Sequence, residues 1–233
     1  MQIHQQLSPN FGPRKAGKTA HTVILHFTGM DSAAAALARL CDPVAEVSAH
    51  YLIGADGQIW QLVAEEMRAW HAGASFWAGE RDMNSVSLGI ELDYPGSRAD
   101  FPPFPAAQIA ALASVLEGIF RRWQIPADHV LGHSDIAPSR KPDPGPKFDW
   151  QCLARRGFAE PAAAPADHGL SFTEAMAAIG YDPDLDVAHL LAAFRLRWRQ
   201  SAIGRGGAPE ADDRLLANGL AARRLTAATP AIS

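Results

Sequence analysis

The residues of this chain that could do chemistry gather in two places. The first is the run Gly132-His133-Ser134-Asp135-Ile136-Ala137-Pro138-Ser139-Arg140-Lys141-Pro142-Asp143-Pro144-Gly145, which sets a histidine and an aspartate ten residues apart with an Arg-Lys pair between them. Proline on both sides of Asp143 fixes backbone φ and biases each preceding residue toward extended geometry. Lys141 and Asp143 are therefore expected on a stiff loop, as a metal site with a cation beside it needs. The second place is Thr22-Val23-Ile24-Leu25-His26-Phe27-Thr28. Its β-branched and aromatic residues predict a buried strand. One histidine on such a strand is usually a hydrogen-bonded core residue. Taken with His133 and Asp143, His26 completes two imidazoles and a carboxylate, the ligand set of a catalytic zinc with one position open to water.

Such a zinc polarises a carbonyl and acidifies water, and a nearby carboxylate can move the protons. In residues 86–94, Val86, Leu88, Ile90 and Leu92 alternate with Ser87, Gly89, Glu91 and Asp93. Period-two alternation puts both acids on the face opposite the apolar set. Spacing alone does not choose between Glu91 and Asp93. Lys141 is electrostatically suited to stabilise an oxyanion, although a loop lysine is more often simply solvated.

Five ordered blocks carry a resemblance: Val23 to Thr28, Val47-Ser48-Ala49-His50-Tyr51-Leu52-Ile53, Ala69-Trp70-His71-Ala72-Gly73, Asn84-Ser85-Val86-Ser87-Leu88-Gly89-Ile90-Glu91-Leu92, and Gly132 to Pro138. Together they resemble the zinc-dependent N-acetylmuramoyl-L-alanine amidases, in particular their AmpD and AmiD branch, over residues 10–158. The resemblance implies one zinc per chain held by His26, His133 and Asp143. It also implies Glu91 as the acid that activates the attacking water, and Lys141 as the oxyanion-stabilising cation. The implied reaction cleaves the amide between the lactyl group of N-acetylmuramic acid and the L-alanine of the stem peptide. Peptidoglycan or its fragments, with the 1,6-anhydro form among them, would be the partner, in turnover or recycling. Trp70, His71, Asn84 and Arg140 are the expected substrate contacts: a tryptophan face stacks on sugar or peptide, an amide binds backbone, and a guanidinium fork holds a carboxylate. Trp70 could equally be core, and His71 could instead orient a ligand. His50 reads as structural.

Gly12-Pro13-Arg14-Lys15-Ala16-Gly17-Lys18-Thr19 matches the phosphate-loop pattern letter for letter. That loop works only between a strand and a helix. Nothing upstream reads as a strand and a strand follows, so nucleotide binding is rejected. At 233 residues, 48% hydrophobic and 20% charged, the composition is that of a globular protein of one or two domains. A net charge of −4 argues against nucleic acid. Cys41 and Cys152 lie in no ligand spacing. No apolar run reaches the ~18 residues of a membrane span. The amino-terminal residues show neither a basic nor an apolar leader region. A cytoplasmic home is expected, or a periplasmic one if a leader has been removed; oligomeric state is not legible.

The elements predict an α/β fold, a central mixed β-sheet flanked by helices with the metal at one edge, followed by a small all-α module of three helices. Asp31 is expected to cap a helix over residues 32–40. Strands are expected at 49–53 and 58–63 around an Asp56-Gly57 hairpin turn. A helix is expected at 106–123, where Ile109, Leu112, Leu116, Ile119, Phe120 and Trp123 share a face. The predicted domains are a catalytic unit at 1–158, a Pro/Ala-rich linker at 159–169, a helical module at 170–226 with helices at 171–179, 187–200 and 211–224, and a flexible tail at 227–233. The module resembles the peptidoglycan-binding module of the AmiD branch, and a helical extension that packs on the catalytic unit and binds nothing is the alternative. Two other functions fit the same residues, a non-catalytic muropeptide binder of this fold and a zinc peptidase.

Overall fold

The computed structural model describes residues 2–98 and 100–228. Its strands are β1 Ile3–Gln5, β2 Phe11–Gly12, β3 Thr22–Phe27, β4 Tyr51–Ile53, β5 Ile59–Gln61, β6 Arg68–Ala69, β7 Ser87–Leu92 and β8 Val130–Gly132. Six of them form one sheet in the order β1-β5-β4-β7-β3-β8, while β2 and β6 pair separately. The β4·β5 pair is antiparallel and the other pairs of the large sheet are parallel. It is the mixed sheet that the sequence predicts. The β4–β5 hairpin turns at Gly57, whose φ of +85° an L side chain rarely adopts.

The helices are α1 Ala33–Leu40, α2 Met83–Val86, α3 Ala106–Trp123, α4 His133–Ile136, α5 Trp150–Arg155, α6 Phe172–Ile179, α7 Val187–Trp198 and α8 Ala211–Ala228. Helix α3 lays Leu112, Val115, Leu116 and Ile119 on Val23, Leu25, Leu88 and Ile90 of the sheet. Because side chains alternate along a strand, Ile24 and Leu52 leave by the opposite face. There they join smaller clusters with Met83 and Leu131, and with Ala36 and Leu40 of α1. The C-terminal helices build their own core around Phe172, Met176, Tyr181, Leu190, Phe194 and Leu220.

Three expectations need correction. Helix α1 is capped by Ser32, whose Oγ accepts from the Ala35 amide at 3.2 Å, and not by Asp31. A cap must stand directly before the first helical residue. Two strands, β1 and β2, do precede the phosphate-loop-like segment, yet the helix after them, Lys15–Gly17, is a single 3-10 turn leading into β3. Residues 227 and 228, expected in a tail, close α8; residues 229–233 lie outside the described residues. Segment 159–169 has no regular structure, but Ala159 joins the main core and Ala163 the C-terminal one.

Leu116→Ala should remove a side chain that is 0% exposed at the centre of the α3–sheet contact. It is expected to cost about 2–5 kcal/mol in urea unfolding.

Candidate metal centre and active site

Strand register assembles the site. Parallel pairing of β3 with β7 sets His26 beside Glu91, and pairing with β8 sets Leu25 beside Gly132. His133 therefore follows β8 at the level of His26, so three adjacent strands present Glu91, His26 and His133 in one row at their carboxyl ends. Ligands of α/β sheets gather at this end. His26 and Glu91 leave the sheet opposite Leu25 and Ile90, which lie in the core under α3. Asp143 returns to the row on the loop after α4, its carbonyl accepting from the Ser134 amide at 2.9 Å.

His26 Nδ1, His133 Nδ1 and Asp143 Oδ2 form a triangle with edges of 2.9, 3.0 and 3.0 Å, and all three residues are buried. The opposite ring nitrogens fix which atoms face inward. His133 Nε2 donates to the Ala72 carbonyl at 3.0 Å. The Ser87 hydroxyl gives its proton to the Met83 carbonyl at 2.6 Å and so accepts from His71 Nε2 at 3.2 Å. His71 Nδ1 then accepts from His26 Nε2 at 3.0 Å. Both Nδ1 lone pairs are thereby aimed at Asp143. A proton can satisfy one edge of such a triangle at a time, whereas a divalent cation satisfies all three. This donor set fits zinc.

Burial and the adjacent His133 push the His26 imidazole down to about 4, which keeps it a neutral ligand at neutral pH. Burial, then His26 and His50, hold His71 well below its usual value. Burial alone would raise Asp143, but hydrogen bonds from the facing His133 and His26 rings, formed when a ring nitrogen and not the carboxylate carries the shared proton, prevail and hold its carboxyl well below the carboxylate range. Glu91 behaves oppositely. Burial raises it to about 8, the negative Asp143 adds to the rise, and Lys141 opposes it. Its Oε2 is buried with no hydrogen-bond partner among the described residues. It faces a cavity of about 380 Å³, which the triangle, Trp70, His71, Arg140 and Lys141 also line. An orphaned, desolvated carboxylate beside a cation site is placed to handle protons.

Comparison with known proteins decides the family. The sequence family described as N-acetylmuramoyl-L-alanine amidase matches residues 16–146. Escherichia coli N-acetylmuramoyl-L-alanine amidase AmiD is 36% identical over 229 residues, covering 85% of this chain and 81% of that protein. The chain belongs to the N-acetylmuramoyl-L-alanine amidase family. Enterobacter cloacae 1,6-anhydro-N-acetylmuramyl-L-alanine amidase AmpD is 45% identical over 104 residues, 45% of this chain and 54% of that protein. The solved structure of E. coli AmiD with the substrate anhydro-N-acetylmuramic acid-L-Ala-D-gamma-Glu-L-Lys matches with a TM-score of 0.77 at 34% identity, covering 90% of this chain and 91% of that one. Pseudomonas aeruginosa AmpDh3 in complex with anhydromuramic pentapeptide matches equally, at 0.77 and 32% identity over 90% and 94%.

The remaining residues of this amidase divide between the cavity and its supports. Trp70 lines the cavity. Lys141 does too, exposed and without a salt bridge among the described residues. Arg140 reaches the cavity, but its fork already donates to the Ala72 carbonyl at 3.1 Å and to the Ala74 carbonyl. Asn84 stands outside it, buried, with Oδ1 accepting from the His71 and Ala72 amides at 3.0 and 2.8 Å. It shapes the wall that carries His71. His50 is structural: its Nδ1 accepts from the Gly89 amide at 2.9 Å and Nε2 donates to the Met67 carbonyl at 3.1 Å. Asp93 and Asp135 do not line the cavity. In the phosphate-loop-like segment, Arg14 donates to the Glu65 and Ser87 carbonyls, and Lys18 pairs with Glu80 at 2.6 Å.

Ser87 and Gly89 carry weight that sequence reasoning missed. A Cβ on Gly89 would lie 2.5 Å from Cγ of His71, so the histidine ring occupies space that only glycine leaves. The alternating pattern of β7 was the available signal, since a glycine inside a strand marks a close approach.

The raised Glu91 makes a pH prediction for the metal-free amidase. A folded pKa above the unfolded value of 4.5 stabilises the fold fully below 4.5, and that contribution is lost as pH rises through about 8. Glu91→Gln should therefore raise the urea midpoint of chelator-treated protein more at pH 8.5 than at pH 5. Equal effects at both values would place the titrating charge elsewhere.

Proposed function

We propose that this amidase uses one zinc to hydrolyse the amide joining the lactyl group of N-acetylmuramic acid, in its 1,6-anhydro form among others, to the L-alanine of the stem peptide. The observation that carries the reading is the converging Nδ1–Nδ1–Oδ2 triangle, with Glu91 facing the same cavity, its Oε2 buried and without a hydrogen-bond partner among the described residues. The relatives known to act on or bind anhydromuramyl peptides match through both the main sheet and the C-terminal helices.

His26, His133 and Asp143 would hold the metal, which when bound supplies Lewis-acid polarisation of the scissile carbonyl and an acidified water. Glu91, whose ionised form the charge of a bound metal and of Lys141 would favour, takes the proton of the attacking water and delivers it to the departing alanine nitrogen. Lys141 offsets the negative charge that grows on the carbonyl oxygen. Trp70 offers a flat apolar face to sugar or peptide. Arg140 fixes the 72–74 backbone at the rim and presents its remaining N–H donors to a stem-peptide carboxylate.

The proposed division is a catalytic unit at 1–158, a connecting segment at 159–169 and a helical module from 170 to the end of α8 at 228, on the strength of two separate cores. Among the described residues no helix is long and apolar enough to cross a membrane. A soluble, recycled muropeptide as preferred substrate would fit a cytoplasmic role, and preferential cleavage of intact sacculi a periplasmic one.

Purified protein should hold about one zinc and release intact stem peptide from a 1,6-anhydro-muramyl tripeptide, read by mass spectrometry. Chelation should abolish turnover and zinc restore it. Cleavage within the peptide would make the chain a peptidase, and full activity in metal-free protein would end the zinc reading. His26→Ala, His133→Ala and Asp143→Ala should each lose both metal and turnover. Glu91→Gln should keep zinc while kcat falls by roughly 10²–10⁴. Lys141→Ala should also keep zinc and lose kcat. Normal turnover by Glu91→Gln would move the proton-transfer role to another group.

A further inference from the structure

A fully buried acid ties the C-terminal helices to the turn that delivers His133. Asp135 lies two residues after His133 in the single turn of α4 and is 0% exposed. Its Oδ2 accepts from the Gly132 amide at 2.7 Å and from Arg197 Nη1 at 2.8 Å, and its Oδ1 accepts from the Tyr181 hydroxyl at 2.5 Å. Arg197 Nη2 donates to the Val130 carbonyl at 2.9 Å, at the start of β8. One guanidinium from α7 thus grips both ends of the strand-to-helix passage that ends in a metal ligand. Its position is fixed in turn, since its carbon stands 4.2 Å from the Trp150 ring centre and 4.7 Å from that of Trp198. Tyr181 packs at 4.9 Å on Trp77, and the backbone beside it bonds across the same junction, from the Ala78 amide to the Gly180 carbonyl at 2.7 Å.

A buried charge pair is weak evidence for stability, because desolvation offsets most of its attraction. What a planar fork with fixed partners supplies is geometry. Metal affinity depends on how well ligand atoms are held by the groups behind them. The molecule also contains a matched control. Arg195 and Asp213 form a second pair at 2.6 Å, with side chains 4% and 0% exposed, wholly within the C-terminal helices. Two equally buried pairs occur in α7, and only the one that crosses to α4 reaches the metal turn.

We propose that Arg197 and Tyr181 are positioning residues of the metal centre, fixing the β8–α4 turn through Asp135 and with it the His133 ring. The C-terminal helices then complete the active site, whatever affinity they have for wall polymer. This inference rests on the zinc reading above. Absence of zinc from the parent protein would defeat that reading, whereas zinc binding that is indifferent to Arg197 and Tyr181 defeats only this one.

The test uses the full chain with Arg197→Met, Tyr181→Phe and the control Arg195→Met. Zinc affinity is read by competition with a chelator, ligand geometry by the visible spectrum of the cobalt-substituted protein, and the turn itself by deuterium exchange of the Gly132 and Ala137 amides in metal-free protein. Arg197→Met should weaken zinc at least tenfold, alter the cobalt spectrum, speed exchange in the turn, and lower kcat with KM within twofold. Arg195→Met should lower the unfolding temperature comparably while zinc affinity stays within twofold. Equal zinc affinity in Arg197→Met and the parent, or equal losses in both arginine variants, would overturn the proposal. Should Arg197→Met fail to fold, Tyr181→Phe decides alone: a threefold or greater loss of zinc affinity supports it, and parent-like affinity and exchange overturn it.

Discussion

Parallel hydrogen bonding between β7, β3 and β8 is the constraint on which the rest of this amidase depends. Side chains on a strand alternate with a period of two, so a slip of one residue would exchange the two faces of the sheet. Val23, Leu25, Leu88 and Ile90 are fully buried under α3, and that burial forbids the slip. The same hydrophobic term that folds the sheet therefore sets Glu91, His26 and His133 side by side. No loop has to find this arrangement. The loop contribution, Asp143, is brought in last and held by the Ser134 amide.

Around that row, one environment produces opposite electrostatic results that suit one another. Removal from water disfavours every charge, so in the metal-free protein it keeps His26 and His71 neutral and favours a proton on Glu91. Asp143 escapes because, without a metal, a proton shared with the facing imidazoles is held on the ring side and bonds back to it. The chain Met83–Ser87–His71–His26 adds direction to this, since each donor has a single acceptor and the last lone pair faces Asp143. Ordered polarity of this kind costs no reorganisation when a ligand arrives.

Much of this was legible in the sequence because its signals are local. Helix α3 announces itself by apolar spacing and spans the predicted residues, and α6, α7 and α8 begin within one residue of their expected starts. Strands β1 and β2, three and two residues long, are too short to show alternation. Choosing Glu91 over Asp93 needed the resemblance, and the fold supplies the reason in the pairing of Glu91 with His26. The backbone bonds of Asn84 and Arg140 were beyond reach, because only the fold determines where the atoms they meet are placed. The Asp135–Arg197 pair joins residues 62 apart. Its one sequence trace is the pair of arginines set among apolar residues in Ala192-Ala193-Phe194-Arg195-Leu196-Arg197-Trp198.

Gly89 ties the sheet to the ring that stands behind His26. The space left by its missing side chain is where the His71 ring sits. The β-branched residues that a strand otherwise favours would have to displace that ring. The bare backbone at position 89 thus gives up strand propensity and side-chain packing so that a histidine can stand behind His26.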